Sequence, residues 1–147
     1  MLGNGQKLSI SAIRSITDLA NTHLVVLSAC ETGKGGVDKE GIEVAGLGHY
    51  FLLSGAKSVL TSLWLVNDPA TSLLMNRFYT NLSQGNLSKA EALRQVQIAF
   101  INGKLTDTDA KALDRAGVRL YLPGQLPHGS FAHPYYWAPF ILIGNSL

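Results

Sequence analysis

The chain contains a single cysteine, Cys30, in a sequence context that suits a nucleophile. The apolar run of residues 24–29 leads directly to it, and Gly33, Gly35 and Gly36 follow within a few positions. A cysteine nucleophile needs a thiolate, a base within hydrogen-bond reach, and backbone N–H donors for the oxyanion on the substrate carbonyl. Glycines let a loop turn sharply and let a peptide come close. The pattern favours cysteine-dependent chemistry, although a lone cysteine after an apolar strand is also typical of a small buried hydrophobic residue.

The four histidines do not provide an evident base for Cys30. His23 lies seven positions earlier, which is roughly 20 Å along a strand at about 3.3 Å per residue. His49 falls within a predicted helix, where a core or surface histidine is the ordinary interpretation. His133 precedes a proline at the entry to the last predicted strand and is interpreted as structural, and His128 lies in a predicted loop after the cysteine.

The elements that would position Cys30 predict an α/β protein with a mainly parallel sheet. The run 23–29 is continuously apolar, as in a strand covered on both faces, and Cys30 stands at its carboxyl end, where open α/β sheets place their ligand sites. Residues 57–64 form a second predicted strand, and an aromatic turn from His133 leads into a last one.

Four helices are predicted from apolar spacing and from start and stop residues. Asp68 and Pro69 open one helix, and Ser88 with Glu91 forms a capping box that opens the next. Gly55 supplies a left-handed position after another. The predicted helices cover residues 7–19, 40–54, 68–85 and 88–103, and residues 105–132 are interpreted as a surface insertion.

Composition limits the possible classes of function. The length of 147 residues predicts one domain, and 46% hydrophobic against 15% charged residues indicates a well-packed globular protein. Twelve basic and ten acidic residues are scattered without clusters, which gives nucleic-acid binding little support. One cysteine rules out an internal disulfide and favours the cytoplasm. No apolar run is long enough to span a membrane, and no signal peptide is evident.

Five segments together resemble the CHAT family, which comprises caspase-like cysteine peptidases of the caspase and separase clan. They occur in the family's order over residues 2–144 and together are far more specific than any one of them. The resemblance implies a caspase-like fold of which this chain, as a single partial domain over residues 1–147, forms the carboxy-terminal half. The matching segments are residues 24–33, 51–59, 63–71, Met75 with Phe78 and Tyr79, and residues 133–144.

By this resemblance Cys30 is the nucleophile of a cysteine endopeptidase, and its own N–H contributes to the oxyanion hole. Family members pair the cysteine with an upstream histidine-glycine dipeptide, and none precedes Cys30 here. We therefore expect the chain alone to be inactive. Asp68 belongs to a segment that the family places beside the pocket for the residue before the cleaved bond; before Pro69 it is first interpreted as a helix N-cap, and the two roles are compatible. Glu31 is a further candidate for substrate binding.

Three functions remain open at this point. The first is the cysteine endopeptidase, acting on peptides or proteins without metal or cofactor once a histidine-bearing amino-terminal half is present. The second is a non-catalytic interaction module that binds a protein partner or a second copy through an exposed sheet edge at residues 24–29. A generic α/β enzyme such as a nucleotide binder is the weakest, because no glycine-rich phosphate loop follows a strand. No membrane or nucleic-acid partner is expected.

Overall fold

A computed structural model describes residues 15, 18–27, 40–64, 66, 68–104 and 130–147 of the chain. Within them the order of elements is strand β1 (Val25–Leu27), helix α1 (Glu40–Leu53), strand β2 (Ser58–Ser62), helices α2 (Asp68–Ser83) and α3 (Lys89–Ile101), and strand β3 (Phe140–Gly144). Two short 3₁₀ helices, Ser130–Ala132 and Pro134–Tyr136, precede β3. The protein is therefore α/β, as the order of elements predicts.

The three described strands form a mixed sheet in the order β1-β2-β3. β1 pairs with β2 in parallel, with Val25 opposite Val59 and Leu27 opposite Thr61. β3 pairs with β2 in the antiparallel direction, with Phe140 opposite Ser62. The sheet was predicted to be mainly parallel, and its described part is mixed, with one parallel and one antiparallel pair. β2 ends at Ser62, and β3 begins at Phe140 opposite Ser62. β3 therefore runs back along β2 in the opposite direction.

The helix boundaries follow the predicted start and stop residues. Gly55, after α1, has a φ of +102°, and Gly103, after α3, has a φ of +62°; both are left-handed positions that favour glycine. Ser88 is the N-cap of α3 and accepts a hydrogen bond from the N–H of Glu91 at 3.2 Å. The second bond of a capping box, from the N–H of Ser88 to the carboxylate of Glu91, is not formed. The carboxylate of Glu91 instead accepts hydrogen bonds from Arg94 and Gln95.

The chain divides into two compact units, and each has its own apolar interior. The first unit comprises Met1–Leu65 and Phe140–Ser146. Here α1 packs on β2, and its buried cluster is Phe51, Ala56 and Val59. A Cβ at Gly48 would lie 3.5 Å from Val59 Cγ1 and 3.6 Å from Ile143 Cδ1, so the helix passes close to the sheet on this face.

The second unit comprises Val66–Pro139 with Leu147. Helices α2 and α3 pack together in it, and the amide of Asn81 donates to the carbonyl of Ala92 at 3.3 Å. An edge-to-face series of rings extends from buried Phe100 through Phe131 and Tyr136 to exposed Tyr135. The buried side chains of the two helices are Ala70, Leu73, Leu74, Phe78, Ala92, Leu93, Val96 and Phe100.

The single-domain organisation over residues 1–147 stays a prediction. Most of the helix predicted over residues 7–19 and of the insertion predicted over residues 105–132 lies outside the described residues. Among the helices that are described, none is both long and apolar enough to cross a membrane.

Candidate active site

The carboxyl ends of β1 and β2 meet at one edge of the sheet. Because the two strands are parallel and in register, Leu27 at the end of β1 lies opposite Thr61 near the end of β2. Loops at this edge of an α/β sheet are the usual place for ligand and catalytic residues. Leu27, which lies at this edge, precedes Cys30 by three positions in sequence, and the location of Cys30 itself stays a prediction.

The predicted site residues themselves are described only in part. Cys30 and Glu31 lie outside the described residues, and their roles stay predictions. Asp68 is the first residue of α2, which agrees with the helix start predicted from Asp68 and Pro69. Its side chain is not described, so its N-cap and pocket roles stay predictions too.

Hydroxyl groups on β2 fix the backbone on either side of the strand. Ser58 Oγ donates to the carbonyl of His23 at 2.6 Å, where the chain enters β1. Ser62 Oγ donates to the carbonyl of Trp64 at 2.7 Å, where the chain leaves β2. The sequence predicts a strand over residues 57–64 but not these contacts; three hydroxyl residues within five positions were the available signal.

Thr61 is the third hydroxyl residue of β2. It is fully buried, and its Oγ1 has no hydrogen-bond partner, which makes it the one buried side-chain polar atom without a partner in the described part of the chain. Native proteins leave few buried polar groups unpaired. In the register of the sheet Thr61 pairs with Leu27, the last residue of β1.

The described histidines have surface or structural positions. His23 is exposed and precedes β1, at the end of that strand opposite to Cys30, and His49 is exposed on α1. His133 is the N-cap of the 3₁₀ helix Pro134–Tyr136, and its Nδ1 accepts from the N–H of Tyr135 at 3.2 Å. The structural interpretation of His133 is thereby supported, whereas His128 lies outside the described residues.

The described residues contain no cluster of side chains that could bind a metal ion. No group of three histidine, cysteine, aspartate or glutamate residues within residues 15, 18–27, 40–64, 66, 68–104 and 130–147 could hold a metal ion. Glu91 has a strongly lowered pKa. Its hydrogen bonds with Arg94, and then with Gln95, lower its pKa from 4.5 to about 2, and this group lies on the exposed surface of α3.

Comparisons with known proteins identify the same family that the five segments described above resemble. A family profile described as the CHAT domain matches residues 1–145. The chain is similar to tetratricopeptide repeat protein 28 of Mus musculus, with 31% identity over 127 residues that cover 84% of this chain and 4% of that protein. The similarity to tetratricopeptide repeat protein 28 of Homo sapiens is 29% over 145 residues, covering 97% of this chain and 5% of that protein. The chain thus spans a small fraction of these curated relatives. No solved structure matches it.

Proposed function

Because the chain belongs to the CHAT domain family, we propose that it is the cysteine-bearing, carboxy-terminal half of a caspase-like cysteine endopeptidase. The observation that supports this proposal is the parallel pairing of β1 with β2, because Leu27, three positions before Cys30 in sequence, ends β1 at the carboxyl edge of the sheet. The single cysteine suits a reducing compartment, and we assign the protein to the cytoplasm on that ground.

The proposed reaction is acyl transfer through a thioester. The Cys30 thiolate attacks the carbonyl carbon of a peptide bond, and the N–H of Cys30 donates to the oxyanion that forms. A histidine base takes the thiol proton and returns it to the leaving amine, after which water hydrolyses the acyl-enzyme. Since His23 lies at the far end of β1 and His133 serves as a cap, we assign the base to a histidine of another segment or of a partner chain.

The substrate in this proposal is a peptide or protein. Glu31 follows the nucleophile directly, and Asp68 begins the helix that follows β2 in sequence. Both carboxylates are proposed to line the pocket for the residue before the cleaved bond. Removing either charge should then change which peptides are cleaved more than the reactivity of Cys30.

Covalent labelling tests the peptidase proposal directly. The protein, extended by the residues encoded upstream of Met1, is treated with peptides that carry an acyloxymethyl ketone and is then incubated with a peptide library. We expect labelling at Cys30 and cleavage, both lost in Cys30→Ser. Unlabelled Cys30 together with no cysteine-dependent cleavage would show that the proposal is wrong.

A second candidate function is that of a non-catalytic protein-interaction module. Its support is the similarity to proteins named for tetratricopeptide repeats, since stacked repeats of this kind form extended binding surfaces. β1 also lies at an edge of the described sheet, and its three residues are only half-buried. In this proposal β1 accepts a strand from a second copy of the chain.

Light scattering after size exclusion distinguishes this second candidate. Pairing through β1 predicts a dimer that Val26→Lys converts to a monomer, because an added charge on an edge strand opposes pairing. Ile101→Lys is the matched control, since Ile101 is exposed on α3 and should leave the dimer intact. A monomer at all protein concentrations would exclude self-association through β1.

A further inference from the structure

The sequence contains two asparagine-glycine pairs, and one of them ends helix α3. Asn102 is the C-cap of α3, and Gly103 follows it with a φ of +62°. Both residues and Lys104 are exposed, so water reaches them. The other pair, Asn4 with Gly5, lies outside the described residues. Of the two pairs, the one at the end of α3 is therefore the one with described surroundings.

An asparagine that precedes glycine is chemically labile. The main-chain nitrogen of the glycine attacks Cγ of the asparagine, the bond from Cγ to the side-chain nitrogen breaks, and ammonia leaves with the proton of the attacking N–H. Water then opens the cyclic imide to aspartate or isoaspartate. Glycine favours this reaction because no Cβ hinders the approach of its nitrogen. At Gly103 even an added Cβ would meet nothing within 4 Å, so the surroundings leave room for the ring.

The folded cap of α3 holds the attacking nitrogen back. The N–H of Gly103 donates to the carbonyl of Phe100 at 3.0 Å, and the N–H groups on either side of it donate to two other carbonyls of α3 at the same distance. At a ψ of 2° for Asn102, the nitrogen of Gly103 eclipses the main-chain nitrogen of Asn102 and lies away from its Cβ. Ring closure needs that nitrogen on the side of Cβ. Attack therefore requires the last turn of α3 to open, and helix ends open at a low cost in free energy.

The product of the reaction is unfavourable for the same turn. The helix dipole gives the carbonyls at the carboxyl end of a helix partial negative charge, so a carboxylate at position 102 is repelled. The last turn of α3 contains no basic residue, and Lys104 is the first to follow. Isoaspartate also lengthens the main chain by one carbon, which displaces the N–H groups that bind the last carbonyls of the helix.

We propose that Asn102 is a site of spontaneous deamidation whose rate is set by the opening of the last turn of α3. The closed turn protects the asparagine, and the carboxylate formed during an opening weakens the turn thereafter. The reaction consumes one water, releases one ammonia and needs no enzyme or cofactor. This inference is independent of the proposed peptidase function.

Mass spectrometry of tryptic peptides tests the proposal in the native chain. Trypsin cleaves after Arg94 and Lys104, so Asn102 is measured in the peptide of residues 95–104, apart from Asn4. The reference is a synthetic peptide of the same sequence in the same mildly alkaline buffer. Conversion in the folded chain should be slower than in the peptide by about fivefold, for breaking one hydrogen bond, to about a hundredfold, for breaking three. In urea the two rates should be equal.

Asn102→Gln is the matched control, because it keeps an amide but lengthens the side chain, and it should show no conversion at position 102 over the same period. Two results would overturn the proposal. A folded chain that reacts as fast as the peptide would show that the cap does not restrain Asn102. A reaction slower than the expected range would show that only global unfolding exposes this residue.

Asn102→Asp tests the effect of the new charge, because it carries the aspartate product from the start. Its Tm should lie about 2 °C below that of Asn102→Gln, as expected for an exposed carboxylate at the carboxyl end of a helix. Equal Tm values in the two variants would show that the carboxylate does not weaken the turn, and that part of the proposal would be wrong.

Discussion

At the scale of single residues, close backbone contacts join the end of β3 to Lys57 in the first unit. Gly144 ends β3 with a φ of +95°, and a Cβ there would lie 2.6 Å from the carbonyl oxygen of Lys57. The same carbonyl accepts the N–H of Asn145 at 2.8 Å. A side chain at Gly144 would therefore meet both an unfavourable backbone conformation and a steric clash.

We expect Gly144→Ala to lower the free energy of unfolding by more than about 2 kcal/mol. Urea titration followed by circular dichroism measures this change. Gly103→Ala is the matched control, because Gly103 also has a positive φ but open space around its Cα. It should cost only about 1 kcal/mol. If the free energy of unfolding fell equally in the two variants, the contact between residue 144 and the carbonyl of Lys57 would not affect stability.

The second prediction at this scale concerns acid stability. The folded-state pKa of Glu91, about 2, is below its ordinary value of 4.5, because Arg94 and Gln95 bind the carboxylate. The stabilisation by this pair is therefore complete above pH 4.5 and is lost as the pH falls toward 2. The effect is small, since the Arg94 side chain is 60% exposed and solvent screens the pair.

Unfolding titrations between pH 5 and pH 2 test this dependence. Glu91→Gln should reduce the loss of stability over that range, and Arg94→Gln should do the same because it removes the partner. If Glu91→Gln lost as much free energy of unfolding between pH 5 and pH 2 as the original chain, Glu91 would not be the source of this pH dependence.

At the scale of elements, the sequence predicts the helices better than the sheet. Helix α1 was expected at residues 40–54 and extends over Glu40–Leu53, because Gly55 ends it with a residue that only glycine accommodates easily. The direction of β3 was not predictable, since the apolar run Phe140–Gly144 reads the same for either orientation. Pairing with β2 decides it.

Of the candidate site, only the strand that precedes Cys30 could be predicted from the sequence. An apolar run before Cys30 predicts a strand over residues 23–29, and β1 (Val25–Leu27), paired in parallel with β2, lies within that run. The buried and unpaired hydroxyl of Thr61 could not be predicted from the sequence, because whether a buried hydroxyl finds a partner depends on the contacts made across the sheet.

Helix α1 offers a prediction of increased stability. A Cβ at Gly46 would meet nothing within 4 Å, and the residue is exposed in the interior of the helix. Gly46→Ala should therefore raise the free energy of unfolding by about 0.5–1 kcal/mol, because alanine restricts the unfolded chain. Thermal unfolding measures the gain. An unchanged or lower midpoint would show that this part of α1 is not held as a helix.

At the scale of the whole molecule, the first unit is built from both ends of the described chain. β3 reaches the sheet only after the chain has passed through the second unit. The pairing of Ser62 with Phe140 brings together the ends of the intervening segment, which lowers the entropy cost of folding it. The two units should accordingly unfold together.

The two tryptophans make this coupling measurable. Trp64 belongs to the first unit and Trp137 to the second. In Trp64→Phe and Trp137→Phe the remaining tryptophan reports one unit, and in each the fluorescence midpoint in urea should coincide with that from circular dichroism. Separate fluorescence and circular dichroism midpoints within either variant would show that the units are thermodynamically independent.

The late position of β3 also has a consequence for synthesis on the ribosome. All five residues of β2 are buried in the finished protein, yet their partner strand is translated some eighty residues later. Until residues 140–144 emerge, one side of β2 has unpaired amides and exposed apolar side chains, the state in which nascent chains aggregate or recruit chaperones. A ribosome that stalls between the two strands would release a chain whose central strand lacks one of its two neighbours.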